Sequence, residues 1–210
     1  MKKMGFYNDH IVPRLVTCAC GTKPVLRQRQ KVVPKAYGTV LEFGIGAGQN
    51  LPHYTANQVD KVIGVDPCTK SWELAAERAR EASVDIDFIQ GSAESIPLDD
   101  ASVDSILITF TLCTVPNPEA ALAEARRTLK PDGKLFFCEH GIAPDENVAK
   151  WQRRVNPVWK RLFGGCHITR DTKALLTDAG FGIDAVEQMY LPGTPTIAGF
   201  NTWGEATIAR

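Results

Sequence analysis

Two groups of residues have the types and spacing to do chemistry. The first is Gly44-Ile45-Gly46-Ala47-Gly48, which follows the apolar run Thr39 to Phe43 with one acid inside it, Glu42. Glycine lacks a Cβ and tolerates positive φ, so a turn of this kind lets backbone approach a ligand closely. The plain alternative is a tight strand-to-helix turn. The dinucleotide pattern G-x-G-x-x-G would put glycine at position 49; this chain has Gln49 there and glycine at Gly48. Asp66 closes the run Lys61 to Val65 about 20 residues past the glycines, where an acid accepts hydrogen bonds from ribose hydroxyls or simply caps a helix. The second group comes late: Glu139-His140, then Gly164-Gly165-Cys166-His167-Ile168-Thr169-Arg170-Asp171-Thr172. Thr169 suits an N-cap and Asp171 the first turn of the helix that follows, closed by Gly180. Capping does not account for Cys166, His167 or Arg170, and each suits either a site or a structural role.

These groups need elements to hold them, and the chain supplies alternating strands and helices. Thr39–Phe43, Lys61–Asp66, Ile86–Gly91, Val103–Thr109 and Lys134–Glu139 read as five short apolar strands. Asn117 and Pro118 open a helix as N-cap and first-turn proline. Strand–helix alternation predicts a doubly wound α/β sheet whose ligands sit at the carboxyl ends of the strands. Ile183–Tyr190 and Ile197–Ile208 are read as the sixth and seventh strands. Residues from about Tyr7 to Lys31 read as a helical preface broken at Pro13, either a lid or an ordinary packed helix. Phe6, Tyr7 and His10 are its pocket candidates. Trp151, Val155 and Trp159, four residues apart, favour core over substrate box.

The length fits one α/β domain, divided as a preface over 1–37 and a single globular unit over 38–210. Formal net charge is zero with scattered lysines and arginines, which argues against a nucleic-acid partner. No run approaches the ~20 apolar residues of a membrane span, and no secretory signal opens the chain, so a soluble cytoplasmic protein is expected. Six cysteines read as free thiols of a reducing compartment. Cys18-Ala19-Cys20 with Cys166-His167 lacks the two-to-four-residue gap usual for zinc pairs, so no metal is expected.

The turn Glu42 to Gly48, the acid Asp66, the Ser92-Ala93-Glu94 junction and the phrase Arg127-Thr128-Leu129-Lys130-Pro131-Asp132-Gly133 together resemble the class I S-adenosylmethionine-dependent methyltransferases. That resemblance implies a Rossmann-like, mostly parallel seven-stranded sheet with helices on both faces, an N-terminal helical lid, and S-adenosyl-L-methionine as cofactor. It places Glu42 near the cofactor's amino-acid end, the backbone of Gly44, Gly46 and Gly48 beneath it, Asp66 on the ribose, and Ser92, Ala93 and Glu94 at the adenine. Asn50, Pro67 and Thr109 complete the expected cofactor contacts. The phrases Leu112-Cys113, Glu139-His140 and Gly165-Cys166-x-x-Thr169-Arg170, with Asn156-Pro157-x-Trp159-Lys160 and Ala179-Gly180-Phe181, narrow the likeness to the methyltransferase-like 7, or alkyl thiol S-methyltransferase, family. Animal members begin with an apolar membrane anchor, which has no counterpart in Met1 to Asp9. Quinone-ring C-methyltransferases are similar after the fourth strand, but carry arginine where this chain has Cys113.

The resemblance implies methyl transfer to a small molecule, with a thiol as the favoured acceptor. A thiol of ordinary pKa, about 8.5, is a few per cent thiolate at neutral pH and needs no strong base. His140, His167 and Arg170 are the groups that would raise the thiolate fraction and are the expected catalytic residues; Tyr7, His10, Cys113 and Cys166 are the expected substrate pocket. A carbon, nitrogen or oxygen acceptor, on a quinone ring or a phospholipid, would instead need a placed base such as Glu139 with His140. A protein that binds S-adenosylmethionine without turnover is the remaining class. An oligomeric state is not read from these residues.

Overall fold

The computed structural model describes residues 12–209, and Phe6, Tyr7 and His10 lie outside them. Seven strands form one sheet: β1 (Gly38–Phe43), β2 (Val59–Asp66), β3 (Asp85–Gln90), β4 (Val103–Thr109), β5 (Leu129–His140), β6 (Phe181–Tyr190) and β7 (Phe200–Ile208). Their order is β3-β2-β1-β4-β5-β7-β6, and β7 alone runs opposite to the other six strands. Eight α-helices accompany them among the described residues: α1 (Val12–Cys20), α2 (Lys23–Val32), α3 (Thr69–Glu73), α4 (Ala76–Glu81), α5 (Pro118–Thr128), α6 (Glu146–Leu162), α7 (Thr172–Asp178) and α8 (Thr196–Gly199).

The central strands read as unbroken apolar runs because both of their faces are covered. Side chains alternate between faces. Leu41, Phe43, Ile106, Ile108, Leu135 and Phe137 pack on one side with Ala121, Leu122 and Ala125 of α5 and Leu176 of α7. Val40, Leu107, Phe136 and Cys138 pack on the other with Val32 of α2, Leu51 and Tyr54. Order reverses between β1 and β4, which pair side by side and send their crossovers in opposite directions. That switch point is where a doubly wound sheet opens a crevice at its carboxyl edge.

Several expected boundaries move. The preface breaks at Gly21 and Thr22 instead of Pro13, because Pro13 sits in the first turn of α1, where its missing N–H costs nothing. Asp171, not Thr169, is the N-cap of α7: its carboxylate accepts from the amides of Lys173 and Ala174. The seventh strand begins at Phe200, after the short helix α8 takes up Thr196 to Gly199. Trp151 is 59% exposed, so the aromatic spacing of α6 does not mark core there. No helix among the described residues is long and apolar enough to cross a membrane.

Candidate active site

A cavity of about 600 Å³ opens at the carboxyl ends of β1, β2 and β4. A smaller recess of about 320 Å³ beside Arg126 and Arg127 lies away from the strand ends. The large cavity's floor is the turn after β1. Gly44, at φ +68°, lies so close to Thr111 that an added Cβ would meet its hydroxyl at 2.5 Å. Gly46 lends its amide to Asp66, donating to Oδ2 at 3.0 Å, while Oδ1 accepts from the Cys68 amide at 2.8 Å. Asp66 thus faces the cavity with one bond on each oxygen and lone pairs to spare. Burial pushes its carboxyl above the usual range, against those two amides. Gly48 serves packing instead: a Cβ there would stand 2.8 Å from Leu51. Pro67, Ser92, Ala93 and Thr109 also line the cavity.

Glu42, Asn50 and Glu94 stand behind the wall. Glu42 is buried; Asn50 donates to its Oε1 at 2.9 Å and the Tyr54 hydroxyl to its Oε2 at 2.6 Å. Burial outweighs those bonds and the nearby Arg29 charge, and raises its pKa. Glu94 turns to the amide of Asn117 and the hydroxyl of Ser92. Sequence reasoning missed Arg29 entirely. Its guanidinium, from α2, donates to Thr109 Oγ1 at 2.6 Å and Asn50 Oδ1 at 2.9 Å, and lies 5.0 Å over the Phe110 ring. It lines the cavity, and its buried Nε has no hydrogen-bond partner. No local pattern distinguishes a buried arginine from the other basic residues of an amphipathic helix.

The late polar residues lie behind the opposite wall, which Phe110, Thr111 and Thr114 form. Phe110 adopts φ 53°, strained for a bulky residue, and its ring stacks 6.4 Å from His140. The loop behind it is pinned by Glu139, which accepts from the amides of Thr111 (2.6 Å), Leu112 (3.1 Å) and Cys113 (3.2 Å). Arg170 donates to the Leu112 carbonyl, and the His167 amide to the Cys113 carbonyl at 2.7 Å. Neither Arg170 nor His167 lines the cavity; burial, then the Arg170 charge, lowers the His167 pKa.

His140, Cys113 and Cys166 do come together. Their ligand-bearing atoms all lie within 4.8 Å of one another, with Cys166 Sγ 3.2 Å from His140 Nε2. The Trp159 indole donates to Cys166 Sγ at 3.4 Å, and Cys113 Sγ sits 3.4 Å from the Thr114 hydroxyl. Burial lowers the His140 pKa, but Cys166 and the Glu139 carboxylate outweigh it and leave the imidazole raised. The cluster abuts the cavity: Thr114 and Gly165, adjacent in sequence to its cysteines, line it, as does Cys20 of α1. Cys18 and His167, in the sequence-level metal quartet, are not part of this group.

A family profile for a methyltransferase domain matches residues 41–137. Thiol S-methyltransferase TMT1B of Rattus norvegicus is 36% identical over 171 residues, which cover 77% of this chain and 69% of that protein. The Homo sapiens TMT1B is 32% identical over 168 residues, 76% of this chain and 68% of the relative. The chain belongs to the thiol S-methyltransferase family. As a member of it, the chain is an S-adenosylmethionine-dependent methyltransferase with a Rossmann-like fold. The fold match is independent: a methyltransferase structure from Bacillus halodurans superposes with a TM-score of 0.71 at 18% identity, covering 88% of this chain and 98% of that one.

Proposed function

We propose that this family member transfers the methyl group of S-adenosylmethionine to the sulfur of a small thiol. The observation that carries the choice of acceptor is the state of the carboxylates. Among the described residues Asp66 is the one carboxylate lining the cavity, and Glu42 and Glu139 are buried with their oxygens occupied by hydrogen bonds. A carbon or nitrogen nucleophile needs a base that can take its proton. A thiol is already a few per cent thiolate at neutral pH and needs no strong base.

The cofactor fits the residues present. Asp66 keeps lone pairs for a ribose diol, and the Gly44–Gly46 backbone admits close approach. Ser92 and Ala93 flank the space for a flat base, and the unpartnered Arg29 Nε suits a carboxylate. Glu42 acts on that end indirectly, by fixing Asn50 and through it Arg29. S-adenosylmethionine, when bound, supplies a methyl on a sulfonium sulfur that leaves as a neutral thioether with the bonding electron pair. The protein's part is to hold the acceptor in line, exclude water and stabilise its thiolate. His140, 3.2 Å from Cys166, is the group that would raise the acceptor's thiolate fraction. Arg170 and His167 are positioning residues for the loop that carries Cys113.

The test is release of S-adenosylhomocysteine from purified protein with an alkyl thiol, hydrogen sulfide, a reduced quinone or phosphatidylethanolamine. Turnover of the thiols is expected. Turnover confined to the quinone or the lipid would overturn the acceptor and leave the fold and family standing.

A further inference from the structure

The three phrases that set this chain apart from generic methyltransferases each deliver one residue to a single point. Cys113 comes from the loop after β4, His140 from the end of β5, and Cys166 from the loop after α6. No spacing rule finds such a set, because its members are far apart in the chain. Two sulfurs and an imidazole nitrogen mutually within 4.8 Å form a ligand set for a thiophilic divalent ion. With metal–sulfur bonds of about 2.3 Å and a metal–nitrogen bond of about 2.0 Å, a tetrahedral site sets its sulfurs ~3.8 Å apart and sulfur from nitrogen ~3.5 Å apart. The 3.2 Å between Cys166 and His140 needs to widen by only about 0.3 Å to meet that geometry.

We propose that Cys113, His140 and Cys166 hold a zinc-class cation with three protein ligands, leaving the fourth position for the acceptor thiol. The proposal rests on the thiol reading above and names how that acceptor is held. Ligand count supports it: three protein ligands with one open position is the pattern of catalytic zinc, whereas structural sites are closed by four. No fourth carboxylate, cysteine or histidine joins the group among the described residues. Cys20 marks the direction of the opening, since it lines the cavity and lies within electrostatic reach of both Cys166 and Cys113. The Trp159 indole on Cys166 and the Phe110 ring on His140 orient the ligands as outer partners do. On metal binding Cys113 and Cys166 each release a proton to solvent, and His140 donates its lone pair as neutral imidazole. The acceptor then binds as thiolate and its proton also leaves to solvent. A coordinating thiol is deprotonated outright, which makes the whole bound acceptor the nucleophilic form in place of a few per cent of it.

The experiment uses the full chain, stripped with a chelator and kept reduced with a phosphine so that no thiol additive competes. Cobalt(II) is titrated as a spectroscopic stand-in for zinc. One equivalent is expected to bind with the visible bands of a tetrahedral ion and near-ultraviolet thiolate charge transfer. Adding ethanethiol should then intensify the charge-transfer band. Cys113→Ser and Cys166→Ser should weaken metal binding by more than the roughly 10–100-fold that losing an outer partner costs, since each removes a ligand itself. Cys166→His should keep an ion with about half the charge-transfer intensity, and the exposed Cys18→Ser should behave as wild type. Wild-type protein that binds no stoichiometric cobalt overturns the proposal. So does a bound ion whose spectrum ethanethiol leaves unmoved. Equal thiol methylation by stripped and zinc-loaded protein overturns it too, while the thiol reading stands. A thiol-responsive cobalt spectrum without thiol turnover would keep the metal site and discard the acceptor assignment.

Discussion

Glu42, buried behind the cavity wall, and Arg29, which lines the cavity, are opposite charges joined through one amide, since Asn50 donates to the first and accepts from the second. The pair is compensated without direct contact, and the amide shares the desolvation penalty with Tyr54 on Glu42 and Thr109 on Arg29. Replacing Asn50 with Leu takes one hydrogen bond from each of these buried groups at once, leaving Glu42 with Tyr54 and Arg29 with Thr109, and a loss of about 2–4 kcal/mol in urea unfolding is expected. Glu42 also leaves a signature in pH. Burial raises its folded pKa above its unfolded value, so the native state binds the extra proton between those two values. Stability contributed by that proton is therefore full at low pH and is lost as pH rises from about 4.3 through the folded pKa. Glu42→Gln removes the titration. Its stability relative to wild type should climb with pH above that point, whatever constant offset the altered hydrogen bonds add. A flat difference across pH 4 to 8 would mean Glu42 is not raised. Arg29 belongs at this scale as the main omission of sequence reasoning, because only its contacts with Asn50 and Thr109 in the folded chain tell it from Arg27 or Lys31. Cys113, His140 and Cys166 were each singled out by type, but their convergence depends on three loops and is a property of the fold.

At the scale of elements, the β1 turn and its Asp66 partner were legible because glycine and a strand-ending acid are demanded by the backbone of that junction. Asn117 capped its helix as predicted, since both the cap and its proline are local chemistry. The break in the preface was misplaced for a reason equally local. Proline is admissible in a first turn, and the stronger signal was Gly21-Thr22 ahead of Pro24. What could not be read was the loop from Phe110 to Cys113, whose shape is imposed from β5 by a carboxylate. Glu139 accepts three backbone amides there, so Glu139→Ala leaves three donors stranded. At about 1 kcal/mol or more each, the loss should reach at least ~3 kcal/mol, measured by denaturant unfolding. Glu139→Gln keeps one acceptor oxygen and should fall between the two. If Glu139→Ala unfolds at the wild-type midpoint, the loop holds itself and β5 does not shape the site.

Across the whole molecule, stability is distributed unevenly around the cavity. The sheet floor is buried on both faces, and α2 is anchored by Val32 beside Val33. α1 is different: Leu15 is exposed, and the helix joins α2 through Gly21, where a Cβ would sit 2.9 Å from the Thr17 carbonyl. Yet Thr17 and Cys20 of α1 form part of the cavity wall, and the Gln49 side chain donates to the Thr17 carbonyl at 3.4 Å. A wall element that a ligand would lie beneath gains protection from that ligand's binding. Hydrogen exchange with and without S-adenosylhomocysteine reads this directly. Amides of α1 should slow by on the order of 10-fold or more, given a ligand at 10 or more times its Kd, while those of β6 and β7, remote from the cavity, stay unchanged. Protection confined to the turns after β1, β2 and β3 would show that ligand binding does not involve α1. The preface would then be a packed helix and no lid, and acceptor access would have to be controlled from α6, whose last turn and following glycines line the same cavity.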